Sequence, residues 1–194
     1  SACLVGSEMC IRDRFDVVDP VTVSKNSAYY GKNGRDDGSD TNFPQMIKEA
    51  CQQVDGKVNF ADYDSDGDGY VDLVYVIYAG YSESIVGNSG DCLWPKSGTV
   101  GVGTYDGKTV SRYGINNELN NKPADTQDGK YYINGIGLFC HEFSHTLGLP
   151  DIYPTNEITE HNQSPEYWDV MDTGNYQADG YQPIPYSPVS YTHL

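Results

Sequence analysis

Two histidines and two acidic residues lie within eleven positions of one another in the second half of the chain. Residues 141–151 read HEFSHTLGLPD. On an α-helix, His141 and His145 lie one turn apart on the same face, so both imidazoles can bind one zinc ion. Glu142 lies in the same turn, where a general base is needed to take a proton from a metal-activated water. The spacing therefore predicts a hydrolytic zinc site.

The third zinc ligand can come from either of two places. Gly148 can adopt the left-handed conformation that ends a helix, and Pro150 cannot continue the helix. We therefore expect Asp151 to return to the metal as the third ligand. In the alternative, the helix continues and a later segment supplies the ligand. The candidates are then Glu157, Glu160, Glu166 and His161.

A second acidic segment reads DYDSDGDGYVD and has the spacing of a calcium loop. With Asp64 at position 1, Asp66 and Asp68 fall at positions 3 and 5, and Asp72 falls at position 9. Carboxylates this close repel one another unless a cation lies between them. Position 12 is Tyr75 where an EF-hand has a bidentate Glu, so we expect an isolated structural calcium site. A solvated acidic turn is the alternative.

A methionine-containing segment, YWDVMDTG at 167–174, follows the helix motif. Together they resemble the metzincin group of zinc peptidases, and more closely the immune-inhibitor-A-like family of secreted bacterial peptidases. The matching pieces are the calcium-type loop leading into DLVYVIYAG, LWP at 93–95, HEFSHTLGLPDIY at 141–153 and WDVMDTG at 168–174. They span most of residues 62–174 in family order.

The resemblance implies a metzincin-like zincin catalytic domain, which is an α+β fold with a twisted mixed sheet, an active-site helix and a Met-turn. It implies Asp151 as the third zinc ligand and Met171 as the residue beneath the metal. The activity we expect is zinc-dependent hydrolysis of peptide bonds in extracellular proteins, with Glu142 as general base. Tyr153 and Tyr176 are candidates to assist at the oxyanion. The alternatives are an inactive zincin-fold binding module and a calcium-stabilised domain whose HExxH is incidental.

The elements that must position these residues follow from hydrophobic periodicity and from helix-breaking residues. We expect a short strand and turn at 15–23, a loop at 24–41, an amphipathic helix at 42–54, a well-buried strand at 73–79, a loop at 80–90, a hairpin at 99–115, a loop at 116–130 and the motif helix at 133–147. The motif helix should begin near Asn134 or Gly135. Its buried face should consist of Ile136, Phe139, Cys140, Phe143 and Leu147, with both histidines on another face.

The two ends of the chain do not continue these patterns. Residues 1–14 and 189–194 resemble translated sequencing adapter, so we expect both ends to be artefacts that, like an expression scar, are not part of the fold. We therefore expect residues 15–188 to be the metallopeptidase catalytic domain, truncated at its C-terminus. A signal peptide would precede it in the parent protein.

Composition excludes some function classes. The formal net charge of -16 argues against a nucleic-acid partner, since phosphate binding needs Lys and Arg. No apolar run approaches the roughly 18 residues of a transmembrane helix. We expect a secreted monomer that acts on a protein or peptide substrate.

Three cysteines lie between residues 15 and 188, and none has the C-x-x-C spacing of a zinc ribbon. We expect Cys140 to be a small buried apolar residue. Cys51 and Cys92 could pair in an oxidising compartment, with three free thiols as the alternative.

Overall fold

A three-stranded mixed sheet forms the centre of the molecule in the computed structural model, which describes residues 15–34, 39–87, 90–120, 131–154 and 164–192. The strands are β1 (Val74–Tyr81), β2 (Lys96–Tyr105) and β3 (Lys108–Leu119), in the order β1-β3-β2. β1 pairs with β3 in parallel, whereas β2 pairs with β3 antiparallel. The α+β class and the mixed sheet are thus confirmed.

The predicted hairpin is confirmed and is longer than predicted. Tyr105 pairs with Lys108, so Asp106 and Gly107 form a two-residue turn. Both turn residues have positive φ, as a type I′ hairpin requires. The strands reach back to Lys96 and forward to Leu119, so part of the predicted loop at 116–130 is strand.

β1 is less buried than predicted. The run LVYVIYA predicts a strand that is covered on both faces. In the structure β1 lies at an edge of the sheet, and one of its faces is partly open to solvent. Tyr78 is buried, whereas its neighbour Ile77 is 65% exposed. The prediction of a well-buried strand was therefore wrong, because a continuous apolar run does not reveal whether both faces are packed.

The described residues form five α-helices. They are α1 (Ser27–Tyr30), α2 (Phe43–Val54), α3 (Glu83–Val86), α4 (Ile136–Thr146) and α5 (Pro188–Tyr191). α2 is the predicted amphipathic helix and has Pro44 in its first turn. α4 is the predicted motif helix and begins after Gly135. α1 and α3 are single turns inside segments that were predicted as loops, and residues 15–23 form no strand, so those predictions were wrong.

α2 and α4 lie on opposite faces of the sheet. Tyr113 and Gly114 are neighbours in β3, so their positions point to opposite faces. The Tyr113 ring contacts Phe43 of α2 at 5.1 Å between ring centroids. On the other face the Tyr75 ring lies over Gly114, and a Cβ there would be 2.2 Å from that ring. Tyr75 in turn packs against Phe139 of α4 at 4.8 Å. Gly114 thus lets α4 dock through Tyr75.

The main core lies between the sheet, α2 and the segment before β2. Its fully buried members include Tyr30, Ile47, Leu93, Val110 and Ile115. A second, smaller cluster consists of Leu149, Val170 and Met171, with Cys140, Ile152 and Tyr186 packed against it. This smaller cluster supports the C-terminal end of α4.

The buried face of α4 is not the predicted one. Ile136 and Leu147 are 61% and 53% exposed, and Phe139 is 38% exposed. His141 and Glu142 are buried instead. The polar side of the helix is covered because other segments of the chain pack onto it. The prediction of this buried face was wrong because it assigned burial to apolar side chains, whereas the buried side of α4 carries polar ones.

The Glu49 carboxylate of α2 fixes the segment that precedes α1. It accepts hydrogen bonds from the Ser24 backbone N–H, the Ser24 hydroxyl, the Tyr30 hydroxyl and the Gln45 amide. The bond from the Ser24 backbone contributes most to lowering the pKa of Glu49 to about 2. These bonds favour the charged carboxylate, and so attach the extended segment to the domain.

The three described cysteines are free thiols. Cys51 is buried in the main core, and this burial raises the pKa of its thiol to about 11. Cys140 is half-buried against the smaller cluster. The domain limits at 15 and 188 stay predictions. None of the helices in the described ranges is long and apolar enough to cross a bilayer.

Candidate active site

The three predicted zinc ligands lie together at the C-terminal end of α4. The Nε2 atoms of His141 and His145 are 3.2 Å apart. The Asp151 Oδ1 atom is 3.2 Å from each of them. The three atoms therefore form a nearly equilateral triangle.

Backbone carbonyls fix the orientation of both imidazoles. The Nδ1 atom of His141 is 2.9 Å from the carbonyl oxygen of Val170. The Nδ1 atom of His145 is 2.7 Å from the carbonyl oxygen of Leu149. A neutral imidazole that donates from Nδ1 presents a lone pair at Nε2, which is the form that binds a metal. The two carbonyls thus favour the tautomer in which Nε2 is free to bind a metal.

The turn after α4 brings Asp151 back to the histidines. Gly148 has φ +101°, which other residues rarely adopt. The Leu149 N–H donates to the carbonyl of Ser144, which reverses the chain. The predicted helix ending at Gly148 is confirmed. Glu166 is exposed and is not part of the cluster. Glu157, Glu160 and His161 lie outside the described residues.

The electrostatics of the triangle favour a charged carboxylate. Burial opposes ionisation of Asp151, but the two imidazoles outweigh it and hold the pKa of the carboxyl well below its ordinary value. Conversely, the hydrogen bond to Asp151 raises the pKa of His145, against the opposing effect of burial. Tyr153 also contacts this carboxylate: burial, the Asp151 charge and a hydrogen bond to Asp151 all raise the pKa of the Tyr153 hydroxyl.

Glu142 lies beside the triangle on the next position of α4 and is 8% exposed. Burial raises the pKa of its carboxyl, and the nearby imidazoles partly oppose this. Its Oε2 atom accepts a hydrogen bond of 3.3 Å from the Ser97 hydroxyl. A largely desolvated carboxyl with a raised pKa binds a proton more readily than an exposed glutamate does, which suits a proton acceptor.

An open cleft of about 480 Å³ passes over these residues. Residues 94–97 form one wall, α4 forms the floor, and residues 148–153 form the other wall. Trp94 and Tyr153 are the aromatic residues that line it. The Tyr153 ring lies nearly parallel to the His141 ring, with 6.4 Å between ring centroids. Tyr176, the other predicted oxyanion residue, is not among the lining residues of the cleft.

Met171 lies in a turn that follows Asp169 and is fully buried. The Asp169 carboxylate organises this turn, since it accepts hydrogen bonds from the backbone N–H groups of Met171 and Ser187. The same turn carries the Val170 carbonyl that fixes His141. The turn is therefore linked to His141 through a hydrogen bond.

The predicted calcium residues are only partly gathered. Carboxylate oxygens of Asp64, Asp66 and Asp68 lie within 4.8 Å of one another. Asp72 instead accepts a hydrogen bond from the Ser65 backbone N–H. Lys108 lies 2.5 Å from the Asp64 Oδ2 atom, and this hydrogen bond contributes most to lowering the pKa of Asp64. The Asp64 Oδ1 atom is buried without a hydrogen-bond partner.

The geometry of the triangle fits zinc. Zinc lies about 2.0–2.1 Å from nitrogen and oxygen ligands in a tetrahedral arrangement, which places neighbouring ligand atoms about 3.3 Å apart. The measured separations of 3.2 Å match this spacing. The buried Asp151 Oδ1 atom has no hydrogen bond of good geometry. Two imidazoles and one carboxylate leave a fourth position open, as catalytic zinc sites do.

Comparison with known proteins decides the family. Residues 12–193 match the family model described as the catalytic domain of immune inhibitor A peptidase M6. The chain belongs to this family. The resemblance drawn from the sequence motifs is therefore confirmed.

Two curated relatives of the M6 family cover most of the chain. It is 29% identical over 187 residues to the pre-pro-metalloprotease PrtV of Vibrio cholerae serotype O1, across 84% of this chain. It is 28% identical over 193 residues to immune inhibitor A of Bacillus thuringiensis subsp. alesti, across 87% of this chain. The chain spans only 20% and 27% of these relatives' own lengths.

The sequence did not point to several groups that build this M6 site. The carbonyls of Leu149 and Val170 fix the imidazoles, but a backbone group carries no residue signal. Ser97 contacts Glu142 across 45 positions of sequence. Its one available signal was its place two residues after the LWP segment at 93–95.

Proposed function

We propose that this chain is the catalytic domain of a zinc-dependent endopeptidase that hydrolyses peptide bonds of extracellular proteins. The observation that carries the proposal is the 3.2 Å triangle of His141, His145 and Asp151, with Glu142 beside it. Membership of a peptidase family and the name metalloprotease on one relative support it.

His141, His145 and Asp151 would hold the zinc. When bound, zinc lowers the pKa of a water toward about 7 and polarises the scissile carbonyl. The anionic Asp151 compensates one of the two charges of the metal, so the site should activate water less strongly than three histidines would.

Glu142 carries the proton in this proposal. Its carboxylate takes a proton from the attacking water and returns that proton to the nitrogen of the departing amine. Because the carboxyl is buried and its pKa is raised, it is a better base than an exposed glutamate would be. The same side chain thus serves first as base and then as acid.

β2 is the strand best placed to bind an extended substrate. It lies at an edge of the described sheet, and its first residues, Lys96 and Ser97, line the cleft. The backbone groups on its unpaired side can hydrogen-bond an added strand, which is the mode called β-augmentation. A bound peptide would then pass directly over Glu142.

Two further residues have supporting roles. Met171 would pack beneath the metal, as the family resemblance implies, and its full burial supports this. Tyr153 is the better of the two oxyanion candidates, because it lines the cleft and Tyr176 does not.

A structural calcium ion at the acidic loop is a separate proposal. Three carboxylates close together and the buried, unpartnered Asp64 Oδ1 atom support it. Asp64, Asp66 and Asp68 would be ligands directly. Asp72 would bind the calcium ion directly after releasing the Ser65 N–H, or would bind it through a bridging water.

Secretion and a monomeric state complete the proposal. The printed name of the Vibrio relative describes a pre-pro-protein, which supports a secreted origin.

The test uses the zinc-loaded chain, its Glu142→Gln variant and unfolded casein as substrate. We expect the native chain to cleave casein. The variant should bind one zinc with unchanged affinity while its turnover falls by at least about 10²-fold. Zinc binding without cleavage would indicate a binding module instead. Calcium binding without zinc binding would indicate that the HExxH motif is incidental.

A further inference from the structure

The first residues of β2 form a wall that is anchored independently of α4. The Asp40 Oδ2 atom accepts a hydrogen bond of 3.0 Å from the Trp94 N–H and forms an ion pair of 2.6 Å with Lys96. The Tyr78 hydroxyl donates to the carbonyl of Leu93 just before the wall. Residues 93–96 are therefore fixed on both sides of the chain by buried groups of other segments.

Ser97 follows this anchored segment, and its own backbone is held by the sheet. It pairs with Gly114 of β3 in the antiparallel ladder. Lys96 packs toward Phe43 of α2, so the next side chain, Ser97, points to the opposite face, where α4 lies. Its hydroxyl reaches the Oε2 atom of Glu142 from that face.

Glu142 has few other restraints. Its carboxylate is largely removed from solvent. Within the described ranges, the Ser97 hydroxyl is the one side chain that donates a hydrogen bond to it. A glutamate has three rotatable side-chain bonds, so a carboxylate without that donor could rotate among several rotamers.

We propose that Ser97 is a positioning residue that holds the Glu142 carboxylate in the orientation needed to take the proton of water. This rests on the peptidase function proposed above. Because Ser97 also lies on the strand proposed to bind substrate, one rigid segment sets both the register of the peptide and the direction of the base.

The test compares Ser97→Ala with Ser97→Thr in the zinc-loaded chain. We expect Ser97→Ala to lower kcat by about tenfold, as loss of a bond to a charged group would, with KM changed less than twofold. Ser97→Thr keeps the hydroxyl and should restore kcat to within about threefold of the native value. Zinc affinity should be equal in all three proteins. The control is Ser27→Ala, at an exposed serine of α1 outside the cleft.

A second readout does not depend on turnover. Acetohydroxamate binds zinc through two oxygens and hands a proton to a nearby base. Its affinity for the zinc-loaded chain should fall several-fold in Ser97→Ala and recover in Ser97→Thr. If Ser97→Ala has the same kcat as the native chain, Ser97 does not position Glu142. If the native chain has no turnover, the same conclusion follows when Ser97→Ala binds acetohydroxamate as tightly as the native chain does. A native chain that binds acetohydroxamate but cleaves nothing would refute the peptidase function and leave the Ser97 contact standing.

Discussion

The triangle at the end of α4 and the acidic loop before β1 are both clusters of metal-type ligands, but they are built differently. In the triangle, carbonyls of other segments occupy the Nδ1 atoms of both histidines. The Asp151 Oδ1 atom faces both Nε2 atoms at 3.2 Å and has no hydrogen bond of good geometry. Such a cluster has the donor atoms and the spacing that a bound zinc ion would need.

The acidic loop is largely satisfied by its own chain. The Asp66 and Asp68 carboxylates accept hydrogen bonds from backbone N–H groups two positions further on. Lys108 supplies a positive charge to Asp64. Only the Asp64 Oδ1 atom is buried and unpartnered within this described cluster.

The comparison shows that closely spaced carboxylates alone say little about metal dependence. What matters is whether protein donors already satisfy the ligand atoms. We therefore expect zinc to be essential for what the triangle does, and calcium to adjust the stability of a loop that can form without it.

The largest effect should come from Asp151→Asn. It keeps the shape of the side chain but removes the charge that the two imidazoles face. Mutating a residue that only hydrogen-bonds a zinc ligand typically lowers zinc affinity by about 10–100-fold. Loss of the charge on a ligand itself should therefore weaken zinc binding by more than about 100-fold. Competition with a chromophoric chelator measures it. Asp66→Asn makes the same charge change in the other cluster and should leave zinc affinity unchanged; equal losses in both variants would remove the distinction between the clusters.

Calcium should have a smaller effect, on stability alone. A ligand at 100 times its Kd stabilises the folded state by about 2.7 kcal/mol, which for a chain of this size corresponds to roughly 5–10 °C in Tm. Calorimetry of the zinc-loaded chain with and without CaCl2 measures this shift. It should disappear in Asp66→Asn and persist in Asp19→Asn, an exposed carboxylate elsewhere. A Tm that does not move with CaCl2 would rule out the calcium proposal.

Lys108→Met tests whether Lys108 takes the place of a cation at the acidic loop. The substitution removes the charge that compensates the buried Asp64 carboxylate. Without calcium the Tm should fall by about 2 °C, and calcium should bind more tightly because the carboxylate is no longer shared. Lys57→Met, at an exposed lysine, serves as the control. Weaker calcium binding in the Lys108 variant would mean that Lys108 supports the site and does not compete for it.

Glu49 provides a reference carboxylate that protein donors satisfy completely. Its pKa falls from an ordinary 4.5 to about 2, so its bonds stabilise the fold above pH 4.5 and are lost as the pH falls toward 2. Glu49→Gln should lower the Tm by about 2 °C at pH 7, and the difference from the native chain should shrink below pH 4.5. Thermal melts at several pH values test this. A difference that is constant with pH would show that the charge of Glu49 does not matter.

The local part of the site was predictable from sequence. The helical repeat places His141 and His145 on one face, and Gly148 indicates where the helix ends. Asp151 then lies within a few residues of both ligands. The geometry of such a motif can be predicted from sequence because residues close together in the chain determine it.

The long-range part of the site was not predictable. Ser97, the Val170 carbonyl and the covering of α4 depend on how distant segments pack. The same packing explains why Ile136 and Leu147 are exposed although their spacing suggested a buried face. The edge position of β1 was missed for a related reason, since pairing partners are not encoded in one strand.

X-ray absorption spectroscopy of the zinc-loaded chain tests whether His141, His145 and Asp151 hold zinc. We expect a first shell made only of nitrogen and oxygen at about 2.0–2.1 Å, with the outer scattering of two imidazoles, and a reduced oxygen contribution in Asp151→Asn. A sulfur shell near 2.3 Å, or a spectrum with fewer than two imidazoles, would show that zinc is not held by His141, His145 and Asp151.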